Sequence, residues 1–230
     1  AEVDDALRLC RELPRPLPPL LELAGPTFAL FAGGGSEEAR RLAAESHDPW
    51  VRGFAREMLA MVAENEGDVD QERLLLRAAH EEFRAVGDRF GLGMVVHSLG
   101  ELEDVAGHHD AAERAYDESI ALATELGNDD DLPQFLGNRG MLAARRGDLD
   151  AGRTWVHEAL ARGAPGAEGA LRIVLAQIER MAGNLDEARR HLAAVDLHEG
   201  KGHPHRMAAW ATAGAAVELA TGDLAAARAR

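Results

Sequence analysis

One short turn recurs five times along this chain, and nothing else in the sequence constrains the fold as strongly. It reads Gly67-Asp68-Val69-Asp70, Gly107-His108-His109-Asp110, Gly147-Asp148-Leu149-Asp150, Gly183-Asn184-Leu185-Asp186 and Gly222-Asp223-Leu224-Ala225. Successive turns begin 40, 40, 36 and 39 residues apart. A period of this length marks stacked supersecondary units, each of which buries its apolar face against its neighbours. A glycine that ends a helix takes the left-handed position without a Cβ penalty. The Asp or Asn that follows it caps the next helix by accepting from its free N–H groups.

The flanking positions repeat as well. Seven residues before each turn glycine stands Ala60, Gly100, Gly140, Ala176 or Ala215. Five residues after it stands Glu72, Ala112, Gly152, Ala188 or Ala227, and nine after it Leu76, Tyr116, Val156 or Leu192. Small residues let two helix backbones approach, and the large one fills the space beside them. A second break, at Gly87, Gly127 and Gly163, closes the longer helix pairs. This pattern predicts helices over 3–13, 17–32, 36–45, 49–65, 69–86, 89–106, 109–126, 131–146, 149–162, 167–182, 185–195, 204–221 and 223–230. The proline-rich stretch at 14–19 separates the first two, since proline cannot continue a helix interior. Alanine, the best helix former, is the commonest residue, and aromatics make up only 4%. The expected organisation is a single repeat domain over 1–230, with degenerate helices at 1–45 and five repeats at 46–230. The last repeat is incomplete, so the chain reads as a fragment of a larger protein.

Charge and motif content narrow the function. With 25 basic and 40 acidic residues the formal net charge is −15, which repels phosphate backbones and argues against direct nucleic-acid binding. No run of about 18 apolar residues is available to cross a membrane. The single cysteine, Cys10, offers neither an internal disulfide nor a thiolate metal site, and a reducing cytoplasm is the expected compartment. Gly33-Gly34-Gly35-Ser36 opens a helix, but Glu37 and Glu38 follow where a phosphate cradle needs Lys and Ser or Thr. His191, His198, His203 and His205 make a His-rich stretch without the four fixed ligands of a structural zinc site. No nucleophile elbow, zinc-protease motif or catalytic-cysteine signature occurs. The expectation is therefore no catalytic residue, no cofactor and no metal.

The helix, turn, helix pattern resembles the tetratricopeptide repeat, stretched to about 40 residues. That resemblance implies an all-α fold, a right-handed α-solenoid of antiparallel helix pairs, whose first helices line a concave groove. Carried across the register, it places Glu57, Met61, His97, Glu101, Asn138, Met141, Gln177 and Arg180 toward that groove. Mixed polar groups and methionine there suit a protein or peptide segment better than a metabolite. The best-known carboxylate-gripping variant uses Lys and Asn where this chain has Glu57, Met61, His97 and Glu101, so that clamp is absent.

Two stretches resemble something narrower. D-P-W-V-R-G-F-A-R at 48–56 with E-N-E-G-D after it, and F-R-A-V-G-D-R-F-G-L at 83–92 with E-L-G-N-D-D-D-L-P-Q-F at 125–135, are similar to the repeat region of large actinobacterial regulators. These are of the Streptomyces antibiotic regulatory protein and signal-transduction ATPase type. The resemblance implies a regulatory module, sensor or autoinhibitory, of a transcriptional regulator. Its partner would be a protein or peptide segment, including other domains of the same parent chain. The DNA- and ATP-binding domains of that family lie upstream of its repeats and have no counterpart here. Two alternatives stand beside this reading: a scaffold outside transcription, and a small-molecule or metal sensor. Exposed terminal repeats would also allow homodimer formation.

The register makes a direct prediction. Gly147→Val places a β-branched side chain in a left-handed turn and should cost on the order of 1 kcal/mol or more, read as a lower melting temperature. Unchanged melting would contradict the register.

Overall fold

The computed structural model describes Glu12 and residues 17–31, 36–163, 166–196 and 204–229. The helix expected over 3–13 (Glu12 apart), Cys10, Gly33–Gly35, His198, Lys201 and His203 lie outside the described residues. Among the described residues twelve helices follow in order: α1 (Pro19–Phe31), α2 (Glu37–Glu45), α3 (Pro49–Glu66), α4 (Val69–Val86), α5 (Arg89–Val105), α6 (His109–Leu126), α7 (Leu132–Arg145), α8 (Leu149–Ala161), α9 (Glu168–Met181), α10 (Leu185–Ala193), α11 (Pro204–Ala220) and α12 (Leu224–Ala229). Each lies within two residues of its expected span, and no strand occurs among the described residues. The fold is all-α, of the α-solenoid class built from antiparallel helix pairs.

The turns are made as their chemistry demands. The eight break glycines all have positive φ, from 64° at Gly127 to 93° at Gly147. At Gly147 the N–H donates to the Ala144 carbonyl at 3.0 Å and that of Asp148 to the Ala143 carbonyl at 3.0 Å, which closes α7. Asp148 Oδ1 then accepts from the Ala151 N–H at 2.9 Å and opens α8. Asp68, Asp88 and Asp223 cap in the same way. Two turns lack this side-chain cap. His108 supplies no side-chain cap, and Asn184 turns its amide backward, Nδ2 donating to Glu179 Oε2 at 2.7 Å. The buried Glu179 carboxylate takes this donor in a charge-assisted bond and so orients the Asn184 amide toward the preceding helix.

Contacts cluster into two compact units, Ala1–Ala106 and Gly107–Arg230. In the first, α1 packs on α2 and α3, and α2, α3, α4 and α5 pack in sequence. Its core centres on Phe83, which is fully buried. The ring occupies space left by two helical glycines. A Cβ on Gly53 would lie 2.8 Å from Phe83 Cε1, and one on Gly91 2.5 Å from it. Phe54 meets the ring edge-on at 4.7 Å and meets Trp50 at 4.6 Å, while Phe90 stacks at 6.3 Å. Trp50 Nε1 donates to the capping carboxylate of Asp88 at 3.1 Å. The two stretches that carry the regulator resemblance, 48–56 and 83–92, are thus one packing cluster.

In the second unit, α6 to α10 pack in sequence, α10 meets α11 and α11 meets α12. First helices also meet directly, α7 on α9 and α9 on α11. The small positions seven before and five after the turn come together as expected. A Cβ on Gly140 would lie 2.9 Å from the Gly152 carbonyl oxygen, and one on Gly152 2.9 Å from that of Gly140. Ala176 and Ala188 play this part in the next repeat, beside Ile173, Leu192 and Val217. In the first unit Glu72 holds the small position, 8% exposed, and burial raises its pKa.

Charged rungs join successive repeats. Arg153, six residues past its turn glycine, binds Glu179, four before the next, through Nε–Oε1 at 2.6 Å and Nη2–Oε2 at 3.0 Å. Arg73 with Glu103 and Arg189 with Glu218 occupy the same offsets. Between the turns at Gly107 and Gly147 the polarity is reversed: Glu113 holds the offset of the arginine and pairs with Arg139, which also donates to Asp117 at 2.8 Å.

Gly152→Val would drive Cβ against the Gly140 carbonyl oxygen and the Ala144 Cβ at 3.1 Å, neither of which is a flexible tip. The helices must separate, at a cost of about 1–3 kcal/mol. Denaturant unfolding checks this, and an undiminished midpoint would contradict the close approach.

Candidate functional site

The first helices carry every residue the register assigns to a groove. In the first unit Met61 is 39% exposed and Glu57 half-buried on α3. On α5 the half-buried Glu101 sits one turn from His97, with Nε2–Oε1 at 3.7 Å. In the second unit Asn138 on α7 and Gln177 and Arg180 on α9 are half-buried. Two assigned residues lie elsewhere. His97 is 3% and Met141 7% exposed, so both are interior. The cause at Met141 is the setting of α7, packed by α6, α8 and α9 and buried along nearly its whole length. At His97 the imidazole is folded into the repeat, and burial alone lowers its pKa from 6.5 to about 3.

One shallow pocket of about 280 Å³ opens between α7 and α9. Asp130, Gln134, Gly137 and Asn138 line one side, and Ala170, Leu171 and Val174 the other. A Cβ on Gly137 would lie 2.9 Å from Leu171 Cδ2, so the glycine lets that side chain approach α7. Of the assigned residues it gathers only Asn138, while Gln177 and Arg180 lie outside it. Asp130 escapes a reading that follows the repeat register because it precedes α7, whereas Gln134 lies on α7 one turn before Asn138. The interior glycine was the available signal. A wider hollow of about 560 Å³ lies at the start of α6, where Arg146 Nη1 already donates to Asp110 Oδ1 at 2.6 Å.

The ionisable groups around these helices are held in structural pairs. Donation from Arg153 lowers the Glu179 pKa against the opposing effect of burial, and Asn184 adds a second donor. Glu82 is lowered in the same way by Arg52 and then Arg56, which reach it from α3. Arg139 lies over the Trp155 ring at 5.4 Å, a cation–π contact joining α7 to α8. Among the described residues no group of three or more His, Cys, Asp or Glu is disposed to hold a metal ion. Among them, too, no helix is long and apolar enough to cross a membrane.

No protein-family model matches the chain, and no curated protein matches it. Solved structures do. BtubC (BKLC) from P. vanneervenii is 24% identical with a TM-score of 0.61, over 93% of this chain and 88% of that one. Aspartyl phosphate phosphatase F from Bacillus subtilis is 10% identical with a TM-score of 0.70, over all of this chain, which spans 58% of that protein's length. PilF of Pseudomonas aeruginosa is 12% identical with a TM-score of 0.55, over all of this chain and 90% of that one. At such identities the likeness is one of fold, and the fold is tetratricopeptide-like.

The buried histidine sets a pH dependence. Its pKa of about 3 in the folded chain lies below the ordinary 6.5 that applies when the chain unfolds. The unfolded state therefore binds the extra proton first, and stability falls as pH drops from 6.5 toward 3. The lowered carboxylates of Glu179 and Glu82 act in the same direction at the acid end. Urea unfolding between pH 7 and pH 4 should show a falling midpoint, with a shallower fall in His97→Gln. An equally steep fall in the variant would contradict a neutral, buried imidazole.

Proposed function

We propose that the chain is a protein- or peptide-binding regulatory module, working in the cytoplasm without a catalytic step, within a larger bacterial transcriptional regulator. The observation that carries the binding reading is the makeup of the first helices. They hold Glu57, Met61 and Glu101 in one unit and Asn138, Gln177 and Arg180 in the other, each with some exposed surface. Methionine adapts to irregular apolar contacts, and the polar groups supply hydrogen bonds of both kinds. The stretches at 48–56 and 83–92 support the regulator assignment through their likeness to the Streptomyces antibiotic regulatory protein type.

Affinity capture from source cells tests this reading, with the wild-type chain beside a Glu57→Ala, Met61→Ala, Gln177→Ala, Arg180→Ala variant of unchanged melting temperature. The wild type should retain a component of the transcription machinery or a DNA-binding domain of its own parent chain. The variant should retain about tenfold less, as expected where a few anchors carry most of the energy. Equal retention would contradict the surface. Recovery of a cyclase or kinase assembly, with transcripts indifferent to deletion, would contradict the regulator and favour a scaffold.

A further inference from the structure

The pocket between α7 and α9 has a makeup that specifies more than a general docking face. Gln134 and Asn138 stand one helical turn apart, a rise of about 6 Å. Alternate residues of an extended chain repeat every 6.6 Å or so. Two side-chain amides at that interval match the main-chain groups along one edge of an extended peptide, since each amide both donates and accepts. Opposite them Ala170, Leu171 and Val174 form an apolar wall, and 280 Å³ is room for one long side chain, not a folded element.

Asp130 is the charged residue that lines the pocket. Asp129 and Asp130 precede α7, and Glu168 begins α9. Arg162 approaches Asp129 at 3.9 Å and Arg172 binds Glu168 at 2.6 Å. Asp130 is exposed, lines the pocket and forms no ion pair with a described residue. We propose that this groove takes an extended peptide segment whose arginine or lysine side chain lies along the apolar wall and meets Asp130 at the mouth. Gln134 and Asn138 hold its main chain. Long basic side chains suit such a site because the stem packs on apolar surface while the charge reaches the carboxylate. This rests on the partner-binding reading above and names the chemistry that its second unit selects.

The test uses the whole chain, isotopically labelled, and two blocked pentapeptides, Ala-Leu-Arg-Leu-Ala and its counterpart with Glu in place of Arg. The Arg peptide should shift the side-chain amide resonances of Gln134 and Asn138 saturably. The Glu peptide should bind about tenfold more weakly because like charges meet at the mouth. Asp130→Asn should weaken the Arg peptide about fivefold, the upper range for an exposed ion pair. Ala170→Trp, at an exposed position, should fill the groove and abolish the shifts while leaving helicity and melting unchanged. Equal affinity for the two peptides, no saturable shift, or shifts confined to α3–α5 would overturn the proposal. A partner captured by the chain whose binding ignores Ala170→Trp but is lost on Met61→Ala would also overturn it, and would leave the partner-binding reading standing.

Discussion

Direct contact between helix backbones is the constraint on which the rest of this structure depends. At Gly140 and Gly152 each carbonyl oxygen lies 2.9 Å from where the other residue's Cβ would be. The same economy of side chains makes room for Phe83, whose ring fills the space left bare at Gly53 and Gly91. It also sets the groove: Gly137 lets Leu171 come close, and the pocket between α7 and α9 opens beside that contact. Glycine within a helix costs roughly 0.5–1 kcal/mol relative to alanine. Its presence at these packed positions, and not merely at turns, shows that close approach decides the residue type.

Charge supplies the second level of order. The rungs Arg73–Glu103, Arg153–Glu179 and Arg189–Glu218 tie the second helix of one repeat to the first helix of the next. Charge-assisted and bidentate contacts of this kind fix geometry as well as adding energy. The rung at Glu113 and Arg139 reverses the polarity, and Glu113 set against a glutamate at the usual offset would be repelled. Many of the arginines are therefore engaged in structural pairs.

The repeat was legible in the sequence because backbone geometry demands particular residues there. A left-handed turn wants Gly147, and the cap after it wants Asp148, so helix spans could be read to within two residues. The pairing of Gly140 with Gly152 followed from the same register. The aromatic cluster was not legible, because Trp50, Phe54, Phe83 and Phe90 come from three helices and only packing brings them together. The rungs were present as a fixed offset from each turn glycine, yet a charge six residues past a turn looks like any solvated face until its partner is known. His97 and Met141 share the register of exposed neighbours, and only three-dimensional packing removes them from the surface. Asp130 escaped because it precedes α7 and lies off the helical register that identifies the groove, whereas Gln134 stands on that register one turn before Asn138.

The central claim is that bare backbone at fixed offsets from each turn brings paired helices into contact. An interproton Overhauser measurement between the Hα atoms of Gly140 and Gly152 tests it most directly. The close approach predicts a cross-peak between these residues, which lie twelve apart in sequence and on different helices. Its absence, with α7 and α8 both helical by chemical shift, would contradict the account.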